Sequence, residues 1–275
     1  MKAEARWDRQ ALLDSPLFAT VRSLVEALPA DRFPDNTSLN ALAERQGLVN
    51  AQGLPVRFVT QTQKVSAAEY EGRAWARGEV LTRPHNWHDL FNALAWLVFP
   101  RTKAVINRLH IEELARQAGR ARSVARDVLT LLDESGMAVA CSRPQLIELL
   151  RGFQWKALFV MHREAVRAHM AFRILGHAVH EKAVVPYKGI VAHALCVAVE
   201  DDFFALPEAV QNAALDAAIA EQLVDEATLR DTASLQPVPI LGIPGWCAAN
   251  EDPAYYDDTG HFRPGRTRRP EVRAP

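Results

Sequence analysis

The sequence predicts a mainly helical α+β domain with a small β-sheet or hairpin and an irregular C-terminal segment. Three observations carry that prediction. Apolar residues recur at helical spacing through most of the first half, between capping residues and glycine or proline stops. The β-prone runs are few and short. After Ser234, the run Gln236-Pro-Val-Pro-Ile-Leu-Gly-Ile-Pro-Gly-Trp246 spaces its prolines too closely for a helix.

Ser15-Pro16 supplies an N-cap and an N1 proline for a helix ending before Pro29. Asn36 to Arg45 predicts a second helix, with Gly47 as its stop, and Val56–Thr60 a short strand. Ser66-Ala-Ala-Glu69 is a capping box for a helix that Gly78 closes. Asn86 to Val98 is an apolar helix stopped by Pro100, whose stripe of Trp87, Leu90, Phe91, Leu94, Leu97 and Val98 marks the core face. A basic helix runs on to about Gln117. Leu129–Leu132 and Met137–Cys141 flank Asp133-Glu134-Ser135-Gly136, which reads as a hairpin turn. Ser142-Arg-Pro-Gln145 is another capping box, for a helix to Leu150, and Trp155 to His169 forms a longer helix. Phe172–Leu175 and Ile190–Val199 read as buried strands around a short helix from His177 to Val184. Pro207 opens an Ala-rich helix to Val224, and Trp246, Tyr255, Tyr256 and Phe262 should hold the irregular segment against the body.

With 275 residues, 49% of them hydrophobic and 24% charged, the chain falls outside disordered, collagen-like and coiled-coil compositions. One globular domain over residues 1–262, followed by a basic, Pro-rich tail over 263–275, is expected. The charged start has no apolar signal region, and the longest apolar stretches are half of the roughly 20 residues a membrane helix needs. Cys141, Cys196 and Cys247 are lone and widely spaced, as in reduced thiols. A cytoplasmic location without a membrane span is the expectation.

Charge is partitioned. Residues 81–195 carry 16 basic and 9 acidic residues, whereas residues 196–260 carry 1 and 13. Arg101, Lys103, Arg108, Arg116, Arg120, Arg122 and Arg126 form a dense basic block. Such a block is either an open phosphate-binding face or one neutralised within the fold. The acidic stretch from Glu200 to Asp258 favours neutralisation, so no tight nucleic-acid binding is expected.

Two constellations carry chemistry. In Arg83-Pro-His85-Asn86-Trp87-His88-Asp89-Leu-Phe-Asn92, a helix puts His85, Asp89 and Asn92 on one face and pairs His88 with Asn92. Two imidazoles, a carboxylate and an amide so close together suit proton transfer or metal binding, and His85, His88, Asp89 and Asn92 are the candidate catalytic residues. Asn86 and Asp89 equally suit helix capping. In Gly176-His177-Ala-Val-His180-Glu181-Lys182, His177 and Glu181 share a helix face, where a His–Glu pair can also simply pin the helix. His88, Asp89, His177 and Glu181 are the candidate ligands of a divalent metal, if the two clusters meet in space. Arg83, Arg101 and Lys103 are the candidate groups for an anionic substrate. The order H-x-x-H-E is no zincin motif, and no P-loop, G-x-G-x-x-G or G-x-S-x-G occurs. His88-Asp89 also echoes the dyad of HD-type phosphohydrolases, but no earlier histidine precedes His85 to complete that pattern. Asp133-Glu134 reads as turn chemistry, although paired carboxylates also bind cations.

The string Thr82-Arg-Pro-His-Asn-Trp-His-Asp-Leu-Phe-Asn-Ala-Leu-Ala-Trp-Leu-Val-Phe-Pro-Arg101, followed by Lys103 and Asn107, resembles a bacterial domain-of-unknown-function family, numbered three thousand and twenty-five. Arg126-Asp127, Thr130 to Gly136, Gly176 to Lys182, Pro239 to Trp246, Tyr256-Asp257 and Phe262-Arg263-Pro264 fit the same family. The resemblance implies one family domain from about residue 55 and brings no activity with it. Two expectations follow from the residues: a metal-assisted or His/Asp acid–base hydrolase of a small anionic substrate, or a non-catalytic binder of an anionic ligand, nucleic acid or partner protein.

Overall fold

The computed structural model describes residues 6–117 and 122–265. Its helices are α1 (Arg9–Asp14), α2 (Arg22–Glu26), α3 (Asn36–Gln46), α4 (Ala67–Arg77), α5 (Trp87–Val98), α6 (Pro100–Gln117), α7 (Val124–Ser135), α8 (Pro144–Arg151), α9 (Arg163–His169), α10 (His177–Ala183) and α11 (Glu208–Val224). The strands are β1 (Arg57–Thr60), β2 (Glu79–Thr82), β3 (Gly136–Cys141), β4 (Met170–Ile174), β5 (Val191–Ala198) and β6 (Gln236–Pro239). The fold is the mainly helical α+β arrangement read from the sequence.

β3 is the spine of a four-stranded sheet in the order β4-β3-β5-β6, antiparallel to β4 and parallel to β5. Successive strand residues point to opposite faces. Met137, Val139 and Cys141 therefore join one core cluster, while Ala138 and Ala140 join another. The first cluster takes in α5 and the N-terminal helices; the second takes in Leu129 and Leu132 of α7 with Leu215, Ile219 and Leu223 of α11. All six residues of β3 are buried, as in a strand covered on both faces. β6 lies at the sheet edge, where Pro237 and Pro239 cost no interior ladder bonds.

Capping fixes the helices that matter most. Asn86 accepts from the Asp89 N–H, Ser66 from the Glu69 N–H and Ser123 from the Arg126 N–H. Along α5, Leu90, Phe91, Leu94 and Leu97 are buried and Trp87 is half-buried. In the irregular segment, Tyr256 and Phe262 are buried, and the Tyr256 hydroxyl donates to the Gly242 carbonyl at 2.7 Å. Residues 266–275 of the expected basic tail lie outside the described residues.

Several local readings differ from the structure; the single helix read from Pro16 to before Pro29, for one, is a 3-10 turn over Pro16–Val21 followed by the short α2. Leu129–Leu132 is not a strand and Asp133–Gly136 is not a hairpin turn, because α7 runs through Ser135 directly into β3. The Ser123 cap and the buried spacing of Val128, Leu129 and Leu132 make the run helical, and β3 pairs with β4 and β5 instead. Ser142 does not cap α8; its hydroxyl lies 3.3 Å from His169 Nδ1, and Pro144 opens the helix without a side-chain cap. The predicted helix from Trp155 to His169 is divided at His162 into a π-helical turn and α9. β2 follows the Gly78 stop of α4 at once and pairs in parallel with β1, with α4 as the crossover.

The sheet meets α10 through a close backbone approach. The N–H groups of Leu175 and Gly176 both donate to the Gly136 carbonyl, at 3.0 and 2.8 Å. A Cβ on Gly176 would sit 2.4 Å from the Gly136 nitrogen and 2.5 Å from the Glu134 carbonyl oxygen. Both obstacles are backbone, so neither can swing away. Gly176→Ala should lower stability by roughly 1–3 kcal/mol or more, read as a lower urea midpoint at constant slope; an unchanged midpoint would mean the junction is looser than described.

Candidate functional site

Five helices each turn a polar face toward one cavity of about 420 Å³. α4 brings Tyr70 and Glu71, α5 brings His88, Asp89 and Asn92, and α6 brings His110. α7 brings Arg126, Thr130, Asp133 and Glu134, and α10 brings His177. Positions 126, 130, 133 and 134 share one face of α7 because four residues make roughly one turn.

At one end the two histidine clusters meet. The His88 and His177 rings stand edge to face with centroids 4.3 Å apart. Between them lies a carboxylate from neither cluster: Glu134 Oε2 is 3.3 Å from His88 Nε2 and 3.3 Å from His177 Nε2. Among the described residues these three side chains form the one group of metal-ligand type whose donor atoms all lie within 4.8 Å of one another. Metal–ligand bonds of about 2.1 Å set tetrahedral ligand atoms about 3.4 Å apart, so the observed spacing needs little adjustment to hold an ion.

Behind this trio, His88 Nδ1 lies 3.2 Å from Asp89 Oδ1. A carboxylate on the far nitrogen fixes the ring and leaves Nε2 toward the site, as metal-bound histidines are generally held. Asp89 is itself gripped by Arg83, whose Nε and backbone N–H donate to Oδ2 and whose Nη2 donates to Oδ1 at 2.7 Å. Burial works to raise the Asp89 pKa, but the hydrogen bonds from Arg83 and His88 outweigh it and hold the carboxyl well below its usual range. Burial is likewise outweighed at Glu134 by the bonds to His177 and His88. His88 is pushed up to about 9 by its bonds to Asp89 and Glu134.

The cavity floor is a buried polar network. Lys103 is buried and bonded to Asp133 and to Asn92 Oδ1, and Asn92 Nδ2 donates to the Tyr70 hydroxyl at 2.7 Å. Glu71 accepts from Asn107 Nδ2 at 2.6 Å, and burial pushes its pKa up to about 7. His110 is buried, and its Nδ1 has no hydrogen-bond partner among the described residues.

The other residues singled out in the sequence fall elsewhere. His85 is exposed, has a φ of 53°, and rests against Phe33 rather than the cavity. Arg101 lies beside a different cavity, near α11, where its backbone N–H donates to Asp216. Glu181 is half-buried and stands outside the metal-type trio, where its charge acts on Arg83. Lys103 is committed to Asp133 and Asn92. Glu71, Tyr70 and His110 line the cavity without having been singled out, while Glu134 entered the sequence reading as a turn residue that could bind a cation and Arg122 and Arg126 as members of the basic block. Placing Asp133-Glu134 on a helix capped by Ser123 would have revealed the stripe of 126, 130 and 134.

Four residues of the basic block pair with nearby carboxylates rather than with the acidic stretch from Glu200 to Asp258. Lys103 pairs with Asp133, Arg108 with Glu112, Arg116 with Glu113 and Arg122 with Asp127. The acidic residues beyond 200 that form ion pairs meet cations outside the block, as in Arg143–Asp201, Arg163–Glu251, Lys156–Asp257 and Lys188–Asp258.

Residues 56–266 match the family model described as Protein of unknown function (DUF3025), and the chain belongs to that family. The matched span contains every residue of the cavity described above. No curated protein and no solved structure matches the chain. No helix among the described residues is long and apolar enough to cross a membrane.

Burial holds the His110 pKa down to about 4. In the unfolded chain this imidazole takes up a proton near pH 6.5, so the unfolded state binds more protons between those values. Stability should therefore fall as pH drops through that window, by of order 3 kcal/mol from this group. Comparing denaturation curves of wild type and His110→Gln checks this: the variant should show the shallower loss, and parallel losses would contradict it.

Proposed function

We propose that the protein is a metal-dependent hydrolase of a small anionic substrate, with His88, Glu134 and His177 as the ligands of one divalent transition metal. The convergence of His88 Nε2, His177 Nε2 and Glu134 Oε2 carries this reading. Three protein ligands leave coordination positions open, which is the arrangement of catalytic rather than structural sites. A divalent ion held by these three residues would supply an acidified water and a Lewis acid for the bond to be cleaved.

The chain's own residues supply the rest. Asp89 orients His88, and Arg83 fixes Asp89 while its guanidinium lines the cavity. Lys103 keeps Asp133 and Asn92 in place beneath the site. Glu71 lines the cavity and, with a pKa of about 7, can hold or release a proton at neutral pH. Asp89 and Glu181 are then not ligands: Asp89 supports His88 from behind, and Glu181 lies outside the trio.

A second reading rests on the same atoms. The run Asp89–His88–Glu134–His177 also makes a hydrogen-bonded chain able to pass a proton without metal. Metal analysis separates the two. Protein purified without chelator should carry about one zinc, manganese or iron ion per chain. His88→Ala, Glu134→Ala and His177→Ala should each lose it, whereas Glu181→Ala should retain it. Metal-free wild type whose melting temperature ignores all three ions would leave the acid–base reading in its place.

A further inference from the structure

The wall of the cavity away from the trio has its own chemistry. Arg126 lies two turns before Glu134 on α7, about 12 Å along the helix axis. Arg122 and Lys64 line the same cavity, and Thr130 stands between Arg126 and Glu134 on α7. These groups are built into place. Glu113 of α6 accepts from the Ser123 hydroxyl at 2.6 Å, and Ser123 caps the Arg126 N–H, so the start of α7 is tied to α6. Arg122 Nε is paired with Asp127 Oδ1 at 2.6 Å, and its Nη2 donates to the Thr130 hydroxyl.

His110 faces this wall from α6. It is 95% buried, since only 5% of its surface is exposed, yet its Nδ1 has no hydrogen-bond partner within the described residues. A buried ring nitrogen without a partner costs free energy unless something in the cavity bonds to it. Its neighbours include Arg126, Arg122, Lys103 and Asp133, and Asp133 is already held by Lys103. Lys64, Arg122 and Arg126 are the cations lining this wall, and Glu71, near half-neutral at pH 7, is the carboxyl group beside them. The wall is therefore rich in hydrogen-bond donors, the buried Arg126 Nε among them.

We propose that Arg122, Arg126, Lys64 and His110 form an oxyanion subsite that takes the phosphate group of a phosphorylated small-molecule substrate. The phosphate sits on this wall and the bond to be hydrolysed lies over His88, Glu134 and His177, one to two helical turns away. Two guanidiniums and an ammonium match a dianion better than a single carboxylate, and planar guanidiniums give phosphate oxygens paired bonds. The placement of the scissile bond rests on the metal-dependent reading above; the binding of phosphate does not. Arg101 and Lys103, the other cations considered for an anion, point to another cavity and to Asp133 respectively.

The test is calorimetric titration of chelator-treated, metal-free protein with inorganic phosphate, with succinate as the carboxylate probe. Wild type should bind phosphate in preference to succinate. Arg122→Gln, Arg126→Gln and His110→Gln should each weaken phosphate by about tenfold or more, while Arg101→Gln should bind as wild type. Arg122 is half-exposed, so its variant keeps the test valid should a buried substitution impair folding. No phosphate binding at millimolar concentration, equal or tighter succinate binding, or variants that bind as wild type would each overturn the proposal. Because metal is absent throughout, these results stand whatever the metal analysis gives.

Discussion

The contact on which the rest depends is the backbone approach of Gly176 to the junction between α7 and β3. The Gly136 carbonyl takes the N–H groups of the two residues that follow β4, and Gly176 leaves no space for a side chain. That contact sets the end of α7 against the start of α10. Glu134 is two residues before Gly136 and His177 one residue after Gly176, so the same contact brings carboxylate and imidazole together. The apolar core and the polar cluster are therefore not separable: β3 is the centre of the sheet and also the strut behind the site.

The second constraint is the need to satisfy polar groups once they are buried. Lys103, Asp133, Asn92 and Tyr70 form one bonded chain under the cavity, in which each group's cost of leaving water is offset by a neighbour. Burial works to raise the Asp133 pKa, but the Lys103 charge outweighs it and keeps the carboxyl ionised. Removing one member of such a chain exposes the cost of the others, so the floor of the site is rigid by necessity. His110 breaks the pattern, because its buried Nδ1 has no hydrogen-bond partner among the described residues.

Much of this was legible in the sequence, and the failures have a common cause. Asn86, Ser66 and Gly78 announced their helix ends because capping is local chemistry that needs no knowledge of the rest of the chain. The apolar stripe of α5 was equally plain. The hairpin reading of Leu129 to Cys141 failed because a short apolar run carries no intrinsic period; only packing against α11 and β3 decided it for helix. That one error hid Glu134, since a carboxylate in a turn has no fixed direction and one on a helix face does. His88 and His177 were visible as residues of metal-binding type, but their meeting across 89 positions of chain is a property of tertiary structure. Glu181 and Asp89 were the nearer carboxylates in sequence; the one that reaches the Nε2 atoms of both His88 and His177 comes from α7.

The most direct measurement on the central claim is an X-ray absorption spectrum of the zinc-loaded protein, with Glu134→Ala beside it. The account predicts two imidazoles and an oxygen ligand at about 2.0–2.2 Å, with the coordination altered or the ion lost in the variant. Sulfur ligation, an all-water shell, or a spectrum indifferent to Glu134 would contradict it.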